Sequence, residues 1–286
     1  EKNTGVSKNF MRKVLSSAFR GGIPGAIAMA LQVGLLMWLR TAINYQHRHG
    51  GTVAETFALL YAEGGIARFY QGMGYALMQG PLSRFGDTAG NEGVKTLLAG
   101  TKVSLFLVTL AGSVAAAFWR IIITPIDTLK TVLQVQGAEG MAVLAAKVEK
   151  NGVMSLYDGA LGTWMATLVG HYPWFMTNNF LEERIPQWGK SKTMTLLRRM
   201  FIGFCSSLVS DCVANSIRVV KTYKQTAPES LTYLATVTAI VDQDGVSGLF
   251  FRGLGIKIIA NGISGMLFSV VWKLLMDVMQ ETKKSD

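Results

Sequence analysis

The sequence predicts an all-α membrane protein with six transmembrane helices arranged as three pseudo-symmetric repeats. Three observations lead there. Half of the 286 residues are hydrophobic and only 16% are charged, whereas soluble domains carry about a quarter charged residues. Runs free of acids and bases at 21–39, 103–119 and 159–181 approach the ~20 residues that cross a bilayer, and shorter ones cover 69–83, 200–210 and 258–272. The third observation is a spacing that occurs three times. Gly22 and Ala26 precede Arg40 by the distance at which Gly112 and Ala116 precede Lys130, and Gly203 and Ser207 precede Lys221.

The stretch Thr124-Pro125-Ile126-Asp127-Thr128-Leu129-Lys130-Thr131 sets the pattern. Pro125 removes a backbone donor and bends a helix, while Asp127 and Lys130, three apart, share one helical face. A bend that aims an acid and a base at one axis is the mark of a gate. Each base of the threefold set is followed by threonine, at Thr41, Thr131 and Thr222. Downstream of each comes an aromatic-x-Gly: Tyr70-Gln71-Gly72, Tyr157-Asp158-Gly159 and Phe251-Arg252-Gly253. A polar-Gly pair precedes each in turn, at Glu63-Gly64, Asn151-Gly152 and Asp244-Gly245. A period of roughly ninety to a hundred residues makes the chain one domain over 1–286, with repeats at about 14–98, 102–185 and 195–280.

Taken in order, 1–13 is a polar, mixed-charge arm, and no cleavable signal is legible before Ser17. The first span covers about 14–44, where Gly22, Ala26 and Ala30 form a small-residue stripe for close helix packing. A turn at 45–51 holds His47 and His49, read as solvated because no thiol or carboxylate of metal-ligand spacing accompanies them. Thr52 and Glu55 have capping-box spacing at the start of a short amphipathic helix over 52–62. The second span, about 70–98, is rich in polar groups: Gln79, Ser83, Arg84, Asp87, Asn91, Glu92 and Lys95. Arg84 and Asp87 are one turn apart, so they either pair with each other or serve a site inside the membrane. A third span at about 102–136 leads to a second surface helix at 138–150. The fourth, about 156–184, carries Thr167, His171 and Trp174, with His171 read as a hydrogen-bonded packing residue. The fifth covers about 195–224, a third surface helix 228–243, and the sixth about 253–279 with Asn261 and Ser264 midway. Cys205 and Cys212 lie about 10 Å apart along one helix, too far for a disulfide.

The net charge of +10 lacks an aromatic-interleaved basic stripe. It therefore points to anionic lipid or to anionic solutes and not to nucleic acid. No Ser/His/Asp, Cys/His or metal constellation of credible spacing is present, so neither an enzyme nor a cofactor or metal site is expected.

The triplication, the full Pro-x-acid-x-x-base signature at Pro125, Asp127 and Lys130, and the aromatic-x-Gly of each repeat resemble the mitochondrial carriers from about Ser17 to about Gln280. The resemblance implies a multi-pass protein of the mitochondrial inner membrane whose three surface helices lie on the matrix side. It implies alternating access to a central cavity holding Gln79, Ser83, Arg84, Asp87, Thr167, His171, Trp174, Asn261 and Ser264, together with Ala166, Gly170 and Ala260. It also implies a matrix gate of Arg40, Asp127, Lys130, Arg218 and Lys221, and an opposite gate that survives as Glu92 and Lys95. The chain departs from the family at the gate. Met37 and Arg218 occupy two of the three acid positions and Leu35 and Ser216 two of the proline positions, so at most the pair of Asp127 with Lys221 is expected. Two functions follow: transport or exchange of a small-molecule solute, its class open, or a carrier fold kept as a structural or assembly subunit beside other membrane-complex subunits.

Overall fold

A computed structural model describes residues 31–98, 105–189, 191–264 and 267, all helix, turn or loop. The N-terminal arm lies outside the described residues, as do the side chains of Arg84, Glu92 and Lys95. Helix α1 covers 31–49. It is followed by α2 (Val53–Phe69), α3 (Met73–Leu97), α4 (Leu105–Ile122), α5 (Thr124–Gln136), α6 (Gly140–Asn151), α7 (Ala160–Arg184), α8 (Lys192–Thr226) and α9 (Tyr233–Phe251). The last described helix, α10, covers 254–264.

Local chemistry accounts for the boundaries. Thr52 caps α2 by accepting from the Glu55 amide at 3.3 Å while the Thr52 amide donates to Glu55 Oε2 at 2.9 Å, the reciprocal box expected from their spacing. Glycines interrupt α2 at Gly64 and Gly65 and α9 at Gly245, so each surface helix turns before the next long helix begins. The turn foreseen at 45–51 is shorter than expected, because α1 continues helical through His49. Pro125 sits in the first turn of α5, where its missing N–H costs no helical bond. The break falls at Ile123, and the segments on its two sides, Leu110–Ile122 and Thr124–Asn151, meet at 65°.

Among the described residues Lys192–Thr226 and Tyr233–Ser264 are long and apolar enough to cross a membrane, and the bent pair at Ile123 makes a third if counted as one span. The distribution of side chains is inside-out. Thr124, Asp127, Thr128, Thr131 and Gln134 of α5 and Ser206, Ser210, Asp211 and Asn215 of α8 are buried. Phe118, Ile122, Leu161, Met176, Phe180, Phe201 and Val213 face outward from α4, α7 and α8. Water rejects such a surface; hydrocarbon accepts it.

The long helices are fastened to one another in a chain of equivalent contacts. Arg68, at the end of α2, donates to the carbonyls of Gln134 and Val135 at the end of α5, at 2.9 and 2.8 Å, while Glu63 holds its Nε at 2.6 Å. Lys147 of α6 reaches the Lys224 carbonyl near the end of α8 at 3.3 Å and pairs with Asp158 at 2.9 Å. Arg252 reaches the Arg48 carbonyl near the end of α1 at 3.3 Å and pairs with Asp244 at 2.7 Å. Each cation thereby satisfies the carbonyls that a helix leaves open at its C-terminus. Gly72 and Gly159 work beside them. Both have positive φ, and a Cβ would lie 2.9 Å from the Lys130 carbonyl oxygen or 3.1 Å from that of Lys221, so a side chain fits neither the backbone nor the gap.

Burial opposes ionisation of Asp158, but hydrogen bonds from Lys147 and Lys224 outweigh it and hold the carboxyl below its ordinary value. Its contribution to stability is therefore complete above the unfolded pKa of about 4 and is lost as pH falls through the folded value. Asp158→Asn is expected to remove about 2 kcal/mol at neutral pH, read as a lower thermal unfolding midpoint in detergent, and to flatten the acid limb of the stability profile.

Candidate functional site

The break at Ile123 aims the first turns of α5 toward the centre of the bundle. Thr124 Oγ1 donates to the Arg120 carbonyl at 2.8 Å, satisfying an oxygen near the break. One turn on, Asp127 is buried at 5% exposure. Lys130 of the same helix donates to its Oδ1 at 2.8 Å, and Lys221 of α8 donates to its Oδ2 at 2.5 Å. Gln225 adds a bond of 3.1 Å to Thr128 Oγ1 and lies 3.4 Å from Asp127 Oδ2.

A neutral counterpart joins α1 to α5. Gln134 reaches Met37 Sδ at 3.4 Å as Gln225 reaches Asp127, and Asn44 donates to Gln134 Oε1 at 2.6 Å. Where α8 reaches a carboxylate on α5, α5 reaches a thioether on α1. In α8, Arg218 donates to Asp211 Oδ1 at 2.6 Å, Lys257 of α10 stands 3.5 Å from the same oxygen, and Asn261 donates to Oδ2. Farther along, Arg120 of α4 donates to Asp87 of α3 at 2.9 Å, and His171 of α7 meets Ser113 Oγ at 2.9 Å.

These groups surround a cavity of about 610 Å³. Its cationic walls are Arg40, Arg120, Lys130, Arg218, Lys221 and Lys257, and no acid is among the described lining residues. The carboxylates of Asp87, Asp127 and Asp211 stand behind them. Arg40 makes no hydrogen bond or ion pair among the described residues. Asn44 and Gln134 line the end nearer the surface helices, Trp174 and Phe175 another part of the wall. A chamber of this kind can hold a small polar solute and exchange ion-pair partners around it.

Of the residues singled out from sequence, Thr167, His171 and Trp174 line the cavity, with Ala166 and Gly170, and so do Arg40, Lys130, Arg218 and Lys221. Gln79 and Ser83 instead bond to each other at 2.9 Å, with Lys130 3.5 Å from Gln79 Oε1. Asn261 serves Asp211, and Ser264 is half-buried in α10. Asp87 takes Arg120 of the next helix as a partner. The reading of His47 as solvated is corrected: α1 stays helical through it, and its ring is buried at 2% exposure with Nδ1 3.4 Å from Thr222 Oγ1. Arg120, Asp211 and Lys257 are site residues that sequence reasoning misses. Asp211 and Arg218, seven apart, share a helical face, and that spacing is the available signal.

Apolar outer faces, a polar interior and a charged central chamber define a membrane-embedded helical bundle built around a solute-sized cavity. The family model of the mitochondrial carrier proteins matches residues 101–187 and 192–283, and the chain belongs to that family. It is 27% identical over 219 residues to mitochondrial ornithine transporter 1 of Saccharomyces cerevisiae, spanning 69% of this chain and 73% of that protein. It is 26% identical over 167 residues to mitochondrial arginine transporter BAC2 of Arabidopsis thaliana, spanning 57% of this chain and 56% of that one.

Asp127→Asn leaves Lys130 and Lys221 without their shared counterion and is expected to destabilise the protein by about 3–5 kcal/mol. Adding Lys130→Met should recover part of that loss, because the penalty lies in the stranded charge. Thermal unfolding of the single and double variants in the same detergent reads both.

Proposed function

We propose that the chain transports or exchanges a small solute across the mitochondrial inner membrane by alternating access to the central cavity. The observation that carries this reading is a charged chamber of about 610 Å³ inside a bundle whose outer faces are apolar. Polar lining at that depth is costly in hydrocarbon and has its use where a solute must pass. The reading treats 1–286 as one domain of three repeats with six spans. The matched fastenings of Arg68, Lys147 and Arg252 support it, as do the parallel reaches of Gln134 to Met37 and Gln225 to Asp127.

In this scheme the bond between Asp127 and Lys221 and the contact between Asn44 and Gln134 close the cavity toward the surface helices, which face the matrix. Opening that side separates α5 from α8 and α1 from α5. One ionic and one neutral link stand where the family has three acids, so the barrier to opening is lower than a full ring would set. Glu92 and Lys95 are proposed to serve the opposite side. Arg84, Gln79, Ser83, Asp87, Asn261 and Ser264 are proposed as the polar surround that exchanges partners as the helices move. The net charge of +10 supports contact with anionic lipid such as cardiolipin. A non-transporting structural role has less support, because a degenerate gate accounts for easier opening without requiring loss of transport.

The relatives' printed substrates, ornithine and arginine, are cations at neutral pH, and the cationic walls here give no reason to carry them over. The test is uptake by the full chain in liposomes preloaded with unlabelled solute, across labelled amino acids, carboxylates and phosphate. Exchange above protein-free vesicles is expected for at least one class; none for any class overturns transport. Met37→Asp adds the missing carboxylate beside Gln134 and is expected to tighten closure and slow exchange about tenfold, the effect of about 1.4 kcal/mol on a barrier.

A further inference from the structure

The cavity has a charge imbalance. Arg40, Lys130, Arg218, Lys221 and Lys257 all line it. Lys130 lies within electrostatic range of Lys221 and Arg40, and Lys257 within range of Arg218 and Lys221. His47 sits in the field of Lys257, Arg218 and Lys221. Two carboxylates serve these five cations: Asp127 for Lys130 and Lys221, and Asp211 for Arg218 and Lys257. The surplus is three positive charges among the described residues. Arg120 adds nothing to it, since Asp87 accompanies that side chain.

We propose that this set of cations is a binding site for a compact multivalent anion, a di- or tricarboxylate or a phosphate compound, and that this anion is the transported solute. The inference rests on the transport reading and adds the class of substrate. Like charges converging on a low-dielectric chamber repel one another unless a counterion joins them. In the first and third repeats the positions equivalent to Asp127 carry Met37 and Arg218, so the protein does not supply that counterion itself. An anion bridging Arg40, Arg218 and Lys257 supplies it, and completes the closure that the missing acids leave partial. The donors have suitable chemistry, since two guanidinium groups offer forked N–H pairs to carboxylate or phosphate oxygens and three ammonium groups add mobile point charges. A chamber of about 610 Å³ lies within the range of small-molecule sites. Free arginine or ornithine would add positive charge to a site already in surplus.

The test pairs two independent readouts on the full-length protein. Thermal unfolding in detergent is measured with citrate, with inorganic phosphate, with arginine, with ornithine and with cardiolipin added alone. Exchange of the same soluble compounds is measured in liposomes. Citrate or phosphate is expected to raise the unfolding midpoint by about 5 °C at a hundredfold excess over Kd and to be exchanged. Arg40→Gln, which breaks no described ion pair and removes one of the converging charges, should weaken that response at least tenfold while the ligand-free protein unfolds no lower than before. Stabilisation by citrate or phosphate, abolished by Lys257→Gln and unaccompanied by exchange of any solute, upholds the anion site and overturns transport. Exchange of arginine or ornithine, with neither anion stabilising or inhibiting, overturns the anion site and leaves transport standing. A midpoint that responds to cardiolipin alone also overturns it.

Discussion

At the cavity, the contact of α5 with α8 depends on one carboxylate. Asp127 takes Lys130 from its own helix at 2.8 Å and Lys221 from α8 at 2.5 Å, so the two oxygens of a single side chain hold α5 against α8. Two like charges 4 Å apart repel by about 4 kcal/mol at an effective dielectric near 20. Without the acid, the same two lysines would drive the helices apart. No second clasp of this kind joins α1 to α5 among the described residues, since Met37, and not an acid, meets Gln134 there. Between α1 and α5 the link is a neutral amide pair, Asn44 with Gln134. A neutral hydrogen bond is the weaker fastening of the two.

The rest of the architecture follows from placing such charges inside an apolar shell. Buried carboxylates require donors on every side, and Asp211 finds them in Arg218, Lys257 and Asn261. Threonines and serines do the quieter work of returning stray backbone oxygens to a partner, as Thr41 does for Phe69 at 2.7 Å, Thr128 for Leu156 at 2.8 Å and Ser210 for Gly170 at 2.7 Å. The hydrophobic cluster of Leu36, Leu39, Ile43, Leu60, Phe69 and Ile256 joins α1, α2 and α10 outside the polar centre. Apolar side chains cover the outer faces while charges line the cavity, the reverse of a water-soluble fold.

Much of the framework is legible in the sequence because it repeats. Three bases at one spacing, three aromatic-x-Gly turns and the capping box at Thr52 are periodic or local signals, and they correspond to helices, tight approaches and a cap in the structure. The cavity itself is less legible. Arg120 and Asp87 are 33 residues apart and meet only because α3 packs along α4. Lys257 reaches Asp211 from another helix, and no spacing within one helix announces it. His47 misleads because two nearby glycines, Gly50 and Gly51, signal a turn, whereas helical bonding persists past it. Side chains whose partners lie on other helices are set by packing, which sequence periodicity does not encode.

The fastenings at the surface helices have a direction along the chain. Arg68 clips onto α5 and Lys147 onto α8, each reaching forward to a helix made later, whereas Arg252 reaches back to Arg48 at the end of α1. The end carbonyls of α1 are therefore met by a side chain 204 positions further along the chain, whereas the other two clips join nearer parts of the sequence. The circuit of clips closes between the first and last parts of the described bundle, so a chain cut before residue 252 is left as an open arc in which α1 has lost its clip.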